Sequence, residues 1–351
     1  MTPLTLITGG AGFIGSNLAF ALLQRGERVL IYDNLSRPGV ERNVEWLQRA
    51  FGAECELCIG DIGDERGVRD ALARASSVFH LAAQVAVTKS LLVPTHDFEV
   101  NARGTLNVLE ALRARPDHVP LVYTSTNKVY GALLDVALRV NGDRYEPEDP
   151  SIEAHGISEE RPLDFHSPYG CSKGAAEQYV RDYARSYGLD TVVLRMSCIY
   201  GPRQFGTEDQ GWVAHFLIRA MQREPLTLYG DGRQVRDVLF VGDLVNAMLL
   251  ARARARDLRG MAFNIGGGSS NTASLLEVID VIEDLHGRRP RHTHQGWRVG
   301  DQRYYVSDTR RFESVTGWRP TVGVREGLSR LHLWLTETER RAPPLAVGTA
   351  P

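Results

Sequence analysis

Through the first half of the chain, short apolar runs alternate with stretches of helical spacing. Leu4–Thr8, Arg28–Asp33, Glu54–Ile59, Ser77–Ala82, Leu121–Ser125 and Thr191–Arg195 are strand-length and mostly apolar, as strands buried on both faces are. Between them, Gly15–Arg25, Asp97–Leu112 and Tyr169–Tyr187 carry apolar residues at helical spacing. This alternation predicts an α/β chain, a Rossmann-type doubly wound parallel sheet with helices on both faces. Right-handed crossovers then bring the carboxyl ends of the strands, and any ligand, to one edge of the sheet.

After about Tyr200 the rhythm breaks. Gly201–Gly211 reads as loop, Trp212–Gln222 as helix and Leu226–Tyr229 as a short strand running into a Tyr229-Gly230-Asp231-Gly232 turn. Ala262–Ile265, Leu275–His286 and Tyr304–Ser307 add smaller elements. The expectation is a smaller C-terminal α/β substrate lobe that closes over the sheet edge. The division expected is a first domain over 1–195 that also receives about 235–262, and a substrate lobe over 196–234 and 263–340. The Pro/Ala-rich end, 341–351, is expected to be a disordered tail. The long polar stretch 132–167 is expected to be a functional loop or lid.

Composition narrows the class of protein. With 351 residues, 43% apolar and 24% charged, the chain is an ordinary globular protein with room for a sizeable core. A net charge of -2 provides no field to recruit nucleic acid or an anionic membrane. No apolar run approaches the roughly 20 residues of a membrane span. The chain enters a strand at once, without a basic n-region, which predicts a cytoplasmic protein. Of four cysteines, Cys55 and Cys58 form a C-x-x-C, but no second ligand pair follows. They read as strand cysteines in a reducing compartment, with no metal site. Only three of the 41 basic residues are lysines: Lys89, Lys128 and Lys173. A lysine retained against arginine suggests chemistry that needs a compact ammonium with a shiftable pKa.

The candidate chemistry lies at the predicted strand ends. Gly9, Gly12 and Gly15, with Phe13 and Ile14 between, follow the first strand and open the first helix, the pattern of a dinucleotide-binding turn. Asp33 ends the second strand about 18 residues past Gly15, where a carboxylate accepts ribose hydroxyls and repels a 2′-phosphate. That selects NAD over NADP. Asn34, Asp61-Ile62 and Leu81-Ala82-Ala83 occupy further strand ends along the expected cofactor path, and Thr124 lies on the strand beside them. Tyr169 and Lys173, four apart, share a helix face. The tyrosine has an ordinary pKa near 10, and an adjacent ammonium together with the positive nicotinamide ring is expected to pull it toward neutrality.

Together these residues resemble the extended short-chain dehydrogenase/reductase family, which includes the NAD-dependent nucleotide-sugar epimerases and dehydratases. The likeness rests on the glycine motif, Asp33, His80-Leu81-Ala82-Ala83, Thr126, Val129-Tyr130-Gly131, Tyr169-x-x-x-Lys173 and Arg195…Tyr200-Gly201-Pro202. It implies that Thr126 is the catalytic hydroxyl, Tyr169 the base, and Lys173 its partner and a ligand of the nicotinamide ribose. It also implies a diphosphate grip by Arg236 and Arg298, in Gln234-Val235-Arg236-Asp237 and Arg298-Val299-Gly300-Asp301. Members pair through the Y-x-x-x-K helix and the helix before it, which implies a homodimer or homotetramer. Leu106, Val108 and Leu109 suit that surface and suit burial inside one chain equally.

Within the family, the branch of CDP-tyvelose (CDP-paratose) 2-epimerases is the most similar in signature. The shared runs are Ser125–Gly131, Leu163–Ala176, Gly201-x-Arg203-Gln204-Phe205, Asp209–Val213 and Asp301-Gln302-Arg303. The resemblance implies a nucleoside-diphosphate sugar substrate contacted by Gln84, Lys89, Asn127, Lys128, Cys198, Arg203, Gln204, Arg236, Arg298 and Asp301. The family's 4,6-dehydratases carry an Asp-Glu pair after the catalytic threonine, where this chain has Asn127-Lys128. The expected reaction is therefore redox-neutral epimerisation through a keto sugar. The alternatives are a 4-epimerase or dehydratase acting on a UDP-, GDP- or dTDP-sugar.

Overall fold

The computed structural model describes residues 3–341. Seven strands form one sheet: β1 (Leu4–Thr8), β2 (Arg28–Asp33), β3 (Cys55–Ile59), β4 (Ser77–His80), β5 (Leu121–Thr126), β6 (Thr191–Met196) and β7 (Met261–Ile265). Every pairing is parallel, in the order β7-β6-β5-β4-β1-β2-β3. The order reverses between β1 and β4, and such a switch point opens the crevice in which α/β sheets take ligands.

The period-two alternation of the strands accounts for the two helical layers. Ile7, Val29, Ile31, Val122 and Leu194 face one core, together with Leu18 and Met248 of the helices Phe13–Gln24 and Val241–Ala253. Leu6, Leu30, Val78, Tyr123 and Val193 face the other, against Val108 and Val180. Both Val108 and Leu109 are fully buried within this chain's own core, which withdraws them from any surface between subunits.

A third core under the edge of the sheet contains Phe216, Leu217, Leu228, Ile279 and Leu331. Val235–Phe240 runs parallel to Cys198–Tyr200 and Tyr304–Tyr305 and antiparallel to Thr272–Ser274. Of the stretch 235–262, the helix Val241–Ala253 packs on the main sheet, while Val235–Phe240 belongs to this smaller one; β7 continues to Ile265.

Two elements differ from expectation. The stretch 132–167 contains a hairpin, Leu138–Asn141 with Arg144–Pro147, and a short helix Pro150–His155. Its turn contains Gly142 at φ +57°, the positive φ for which an Asn-Gly dipeptide is suited. The helix expected over 97–112 is interrupted: Pro94–Phe98 leads into a widened turn, Glu99–Arg103, before the helix Gly104–Arg113 resumes. The widened turn lets Asn101 pair with both the N–H and C=O of Gln84, at 2.9 and 3.0 Å. From residue 342 onward, the expected tail lies outside the described residues. No helix among the described residues is long and apolar enough to cross a membrane.

Candidate active site

The switch-point crevice opens on the glycine loop. Gly9 adopts φ +69°, and a Cβ there would lie 2.7 Å from the backbone nitrogen of Ala82. Gly15 is equally confined: its Cβ would meet the Gly9 carbonyl at 2.5 Å. Gly12 caps the helix Phe13–Gln24 with no side chain over the first turn and no acid within it. The leading N–H groups are thus left open to an anion. At the end of β2, Asp33 accepts N–H bonds from Ala11 (3.0 Å) and Leu35 (2.9 Å). Burial raises its pKa, and these two bonds oppose the rise. Asn34 donates to Asp61 at 2.7 Å, which closes the next strand end against it. A dinucleotide fits this donor set: bare amides for the pyrophosphate and an oriented carboxylate for the ribose.

Gly9→Ala tests the cradle. The variant is expected to lose bound NAD, whereas Gly26→Ala retains it. Gly26 has φ +76° but open space around it, so only the general strain of that conformation, of the order of 1 kcal/mol, applies. NAD content of the purified proteins is the readout.

The Ser167–Tyr187 helix starts with Pro168 in its first turn and ends on Gly188 at φ 72°. It buries Tyr169 and Lys173 beside the end of β5. Lys173 Nζ donates to the Thr124 carbonyl at 2.6 Å and lies 4.4 Å from the centroid of the Tyr123 ring. Burial lowers its pKa to about 7, against the upward pull of Glu177 and Asp97. Tyr169 by itself is not brought toward neutrality, and the expected lowering requires the positive nicotinamide ring as well as Lys173. Burial raises its phenol to about 12, with Thr126 opposing and Asp97 reinforcing the rise. Desolvation is the largest cause of the rise. The Thr124 hydroxyl is used structurally, donating to the His80 carbonyl at 3.1 Å. Thr126 Oγ1 donates to Asn127 Oδ1 at 3.3 Å and accepts the Lys128 N–H at 3.2 Å.

Several predicted substrate residues converge across the crevice. Asn127 donates to Gln302 Oε1 at 3.3 Å, and Lys128 donates to the Gly300 carbonyl at 3.1 Å, with Asp301 3.9 Å away. Burial lowers the Lys128 pKa to about 8, against the opposing effect of Asp301. Arg236 bonds Asp301 at 2.9 Å and the Gln302 carbonyl. Arg298 forms a second centre: it donates to the Glu208 carbonyl at 3.1 Å and lies 3.7 Å from the centroid of the Tyr229 ring. The acidic segment around Glu208 also reaches Thr88 through Asp209 (2.9 Å) and Arg37 through Gln210, and so straps the two halves together. Cys198 accepts from Trp212 at 3.4 Å. The Oε1 of buried Gln204 has no hydrogen-bond partner among the described residues.

Other predicted residues are not brought to these clusters. Arg203 stacks 3.7 Å over Trp46, and Lys89 is exposed on the helix Val87–Leu92 with no ion pair among the described residues. Gln84 is committed to Asp97 (2.7 Å) and Ala86 (2.9 Å). Buried Asp97, Asn101, Ser172 and Glu177, which support the Tyr169–Lys173 pair, were missed in the sequence. The signal was present in Asp97, Asn101 and Thr105, polar residues four apart on the inward face of an apolar helix.

Comparison with known proteins agrees with this geometry. The model of the NAD dependent epimerase/dehydratase family matches residues 5–266. The chain is 44% identical over 336 residues to a CDP-paratose 2-epimerase of Salmonella typhi, covering 94% of this chain and 98% of that one. It is 31% identical to a putative UDP-glucose 4-epimerase of Methanocaldococcus jannaschii, over 95% and 99%. Among solved structures, the UDP-glucose 4-epimerase of Thermotoga maritima with UDP-glucose superposes with a TM-score of 0.80 at 30% identity, over 96% of this chain and 99% of that one. The Thermus thermophilus UDP-glucose 4-epimerase in complex with NAD gives 0.79 at 34% identity, over 95% and 99%. On its sequence, its sheet order and its glycine cradle, the chain belongs to the NAD-dependent epimerase/dehydratase family.

Proposed function

We propose that this enzyme is an NAD-dependent nucleotide-sugar epimerase that inverts C2 of a CDP-linked sugar through a transient 2-keto sugar, with no net redox change. The observation that carries the reading is the run Thr126-Asn127-Lys128. No carboxylate adjoins the catalytic hydroxyl, and both following side chains reach the Gly300–Gln302 segment of the opposite wall. An amide and an ammonium bind and orient a sugar, and they do not supply the carboxylate acid–base pair that the family's dehydratases carry there. The 44% identity to a CDP-paratose 2-epimerase supports the same carbon and base.

When bound, NAD supplies a reversible hydride acceptor and a positively charged ring. The glycine loop and Asp33 would hold it, with Lys173 on its ribose. The chain's own task is to move one proton off a sugar hydroxyl and later return it. Tyr169, ionised with that positive ring beside it, takes the proton while Thr126 shares the hydrogen bond. Arg236 and Arg298 grip the diphosphate, and the sugar turns over between the two proton transfers. Each arginine already has a carboxylate partner, Asp301 for Arg236 and Glu208 for Arg298, and a diphosphate replaces those partners with a stronger forked one.

The reading implies a cytoplasmic enzyme that pairs with itself as a homodimer or homotetramer. With Val108 and Leu109 buried, the half-buried Leu106 and the exposed Tyr179 and Tyr187 are apolar groups left on the two helices concerned.

Incubation with CDP-, UDP-, GDP- and dTDP-sugars in deuterated buffer, followed by NMR, tests the function. The expected product is the C2 epimer of a CDP-sugar, with no NADH accumulating. Deuterium at C5, or inversion at C4, would overturn the assignment in favour of a dehydratase or 4-epimerase.

A further inference from the structure

We propose that Asp97 is a positioning residue of this reaction: its buried carboxylate charges the pocket behind Tyr169 and Lys173 and registers the helical turn that carries them. The inference rests on the roles given to Tyr169 and Lys173 above. Asp97 is fully buried on the last turn before the widened segment Glu99–Arg103. Ser172, the neighbour of Lys173, donates its hydroxyl to Asp97 Oδ2. Gln84 Nε2 and Asn101 Nδ2 donate to Oδ1 at 2.7 and 3.3 Å. All three donors are neutral, so they stabilise the negative charge without cancelling it. The same serine lies 3.2 Å from the Tyr169 carbonyl, which ties Asp97 to the backbone of the catalytic turn.

Asp97 raises the pKa of both the Tyr169 phenol and the Lys173 ammonium. The other groups facing the pair come from each packed element. Glu177 is one turn further along the same helix, and Arg195 on β6 is bonded to it. His80 on β4 is held neutral, its pKa lowered to about 3 by burial and by Lys173. From β5 come the Thr126 hydroxyl, the Thr124 carbonyl and Tyr123, whose buried phenol is raised well above its ordinary value, and from the helix Val87–Leu92 the Ser90 hydroxyl, which accepts the Tyr169 N–H at 3.2 Å. A negative charge stabilises an ammonium and destabilises a phenolate. Its removal must therefore lower both pKa values together.

The test is an ultraviolet difference titration of NAD-loaded protein, with Tyr169→Phe as the blank that isolates the Tyr169 phenolate. In Asp97→Asn and Asp97→Thr the midpoint is expected to fall by on the order of one pH unit. Ser172→Ala, which keeps the charge, is expected to leave it in place. An unmoved midpoint in the neutral variants, or an equal fall in Ser172→Ala, would overturn the proposal. So would failure of both neutral variants to fold with NAD bound, since the carboxylate would then be purely structural. Failure of the epimerase reading shows separately, as absence of turnover by the wild type on the sugar panel, while the titration is still readable.

Discussion

Tyr169→Phe lowers turnover by between about a hundredfold and ten-thousandfold while the protein still carries NAD. The phenyl ring fills the same buried space, so the helix start and the Lys173–Thr124 contact persist. What is lost is the one group that can take a proton from the sugar hydroxyl. Thr126 cannot replace it, because a threonine hydroxyl is far too weak an acid to carry the charge between the two proton transfers. The range corresponds to about 3 to 5.5 kcal/mol of transition-state stabilisation. Cofactor binding depends mainly on the glycine loop and Asp33, on the opposite side of the switch point, so NAD released on denaturation should match the wild type. Near-normal turnover in the variant would remove Tyr169 from the mechanism.

Glu177→Ala is expected to destabilise the protein by about 3–5 kcal/mol. Glu177 is fully buried, and Arg195 is 3% exposed. The carboxylate accepts two guanidinium bonds, Nε at 3.0 Å and Nη2 at 2.5 Å, as well as the Ser125 hydroxyl at 2.6 Å. Arg195 also donates to Tyr130, which passes the chain on to Asn264 at 2.8 Å. This network locks β5, β6, β7 and the Tyr169 helix together beside Lys173. Removing the acid leaves a guanidinium charge stranded in the core. By contrast, Asp70→Ala, which removes the partner of Arg66 from an exposed pair, should leave the unfolding midpoint unchanged. Replacing Glu177 and Arg195 together by methionine should cost less than Glu177→Ala alone, because no charge is then left unpaired. Urea unfolding of the four proteins decides it. Equal midpoints for Glu177→Ala and the wild type would show that the pair contributes nothing. Activity should fall as well. Glu177 is the strongest charge holding the Lys173 proton against burial, so its loss lowers that ammonium below about 7 and leaves more of it neutral at neutral pH.

These residues also show how far the sequence reaches. The apolar alternation, the glycine spacing and Tyr169-x-x-x-Lys173 are local patterns. Each follows from one element's own periodicity, and each appears in the structure at its expected strand or helix end. The hairpin within 132–167 was also local, in Asn141-Gly142, and lay hidden in a stretch that is polar overall. Burial, in contrast, is a property of the assembled fold. Val108 and Leu109 read equally well as a subunit surface or as core until the sheet was present to cover them.

Tertiary structure decided the electrostatics in the same way. A helix face brings Lys173 to Tyr169, yet the balance between desolvation and charge depends on what β5 and the 84–101 segment place around them. That environment by itself raises the phenol, and Lys173 alone does not offset it. The partners of Arg236 and Arg298 were equally out of reach, because Asp301 lies 65 residues from Arg236 and Glu208 lies 90 from Arg298. The sequence by itself determined the sheet, the glycine cradle and the proposed reacting pair, because short-range periodicity and backbone geometry suffice for those. The charges that surround the pair, and the side chains that hold each arginine in waiting, were decided only by the fold. Electrostatic energy depends on distance and solvent exclusion, and neither exists before the chain has packed.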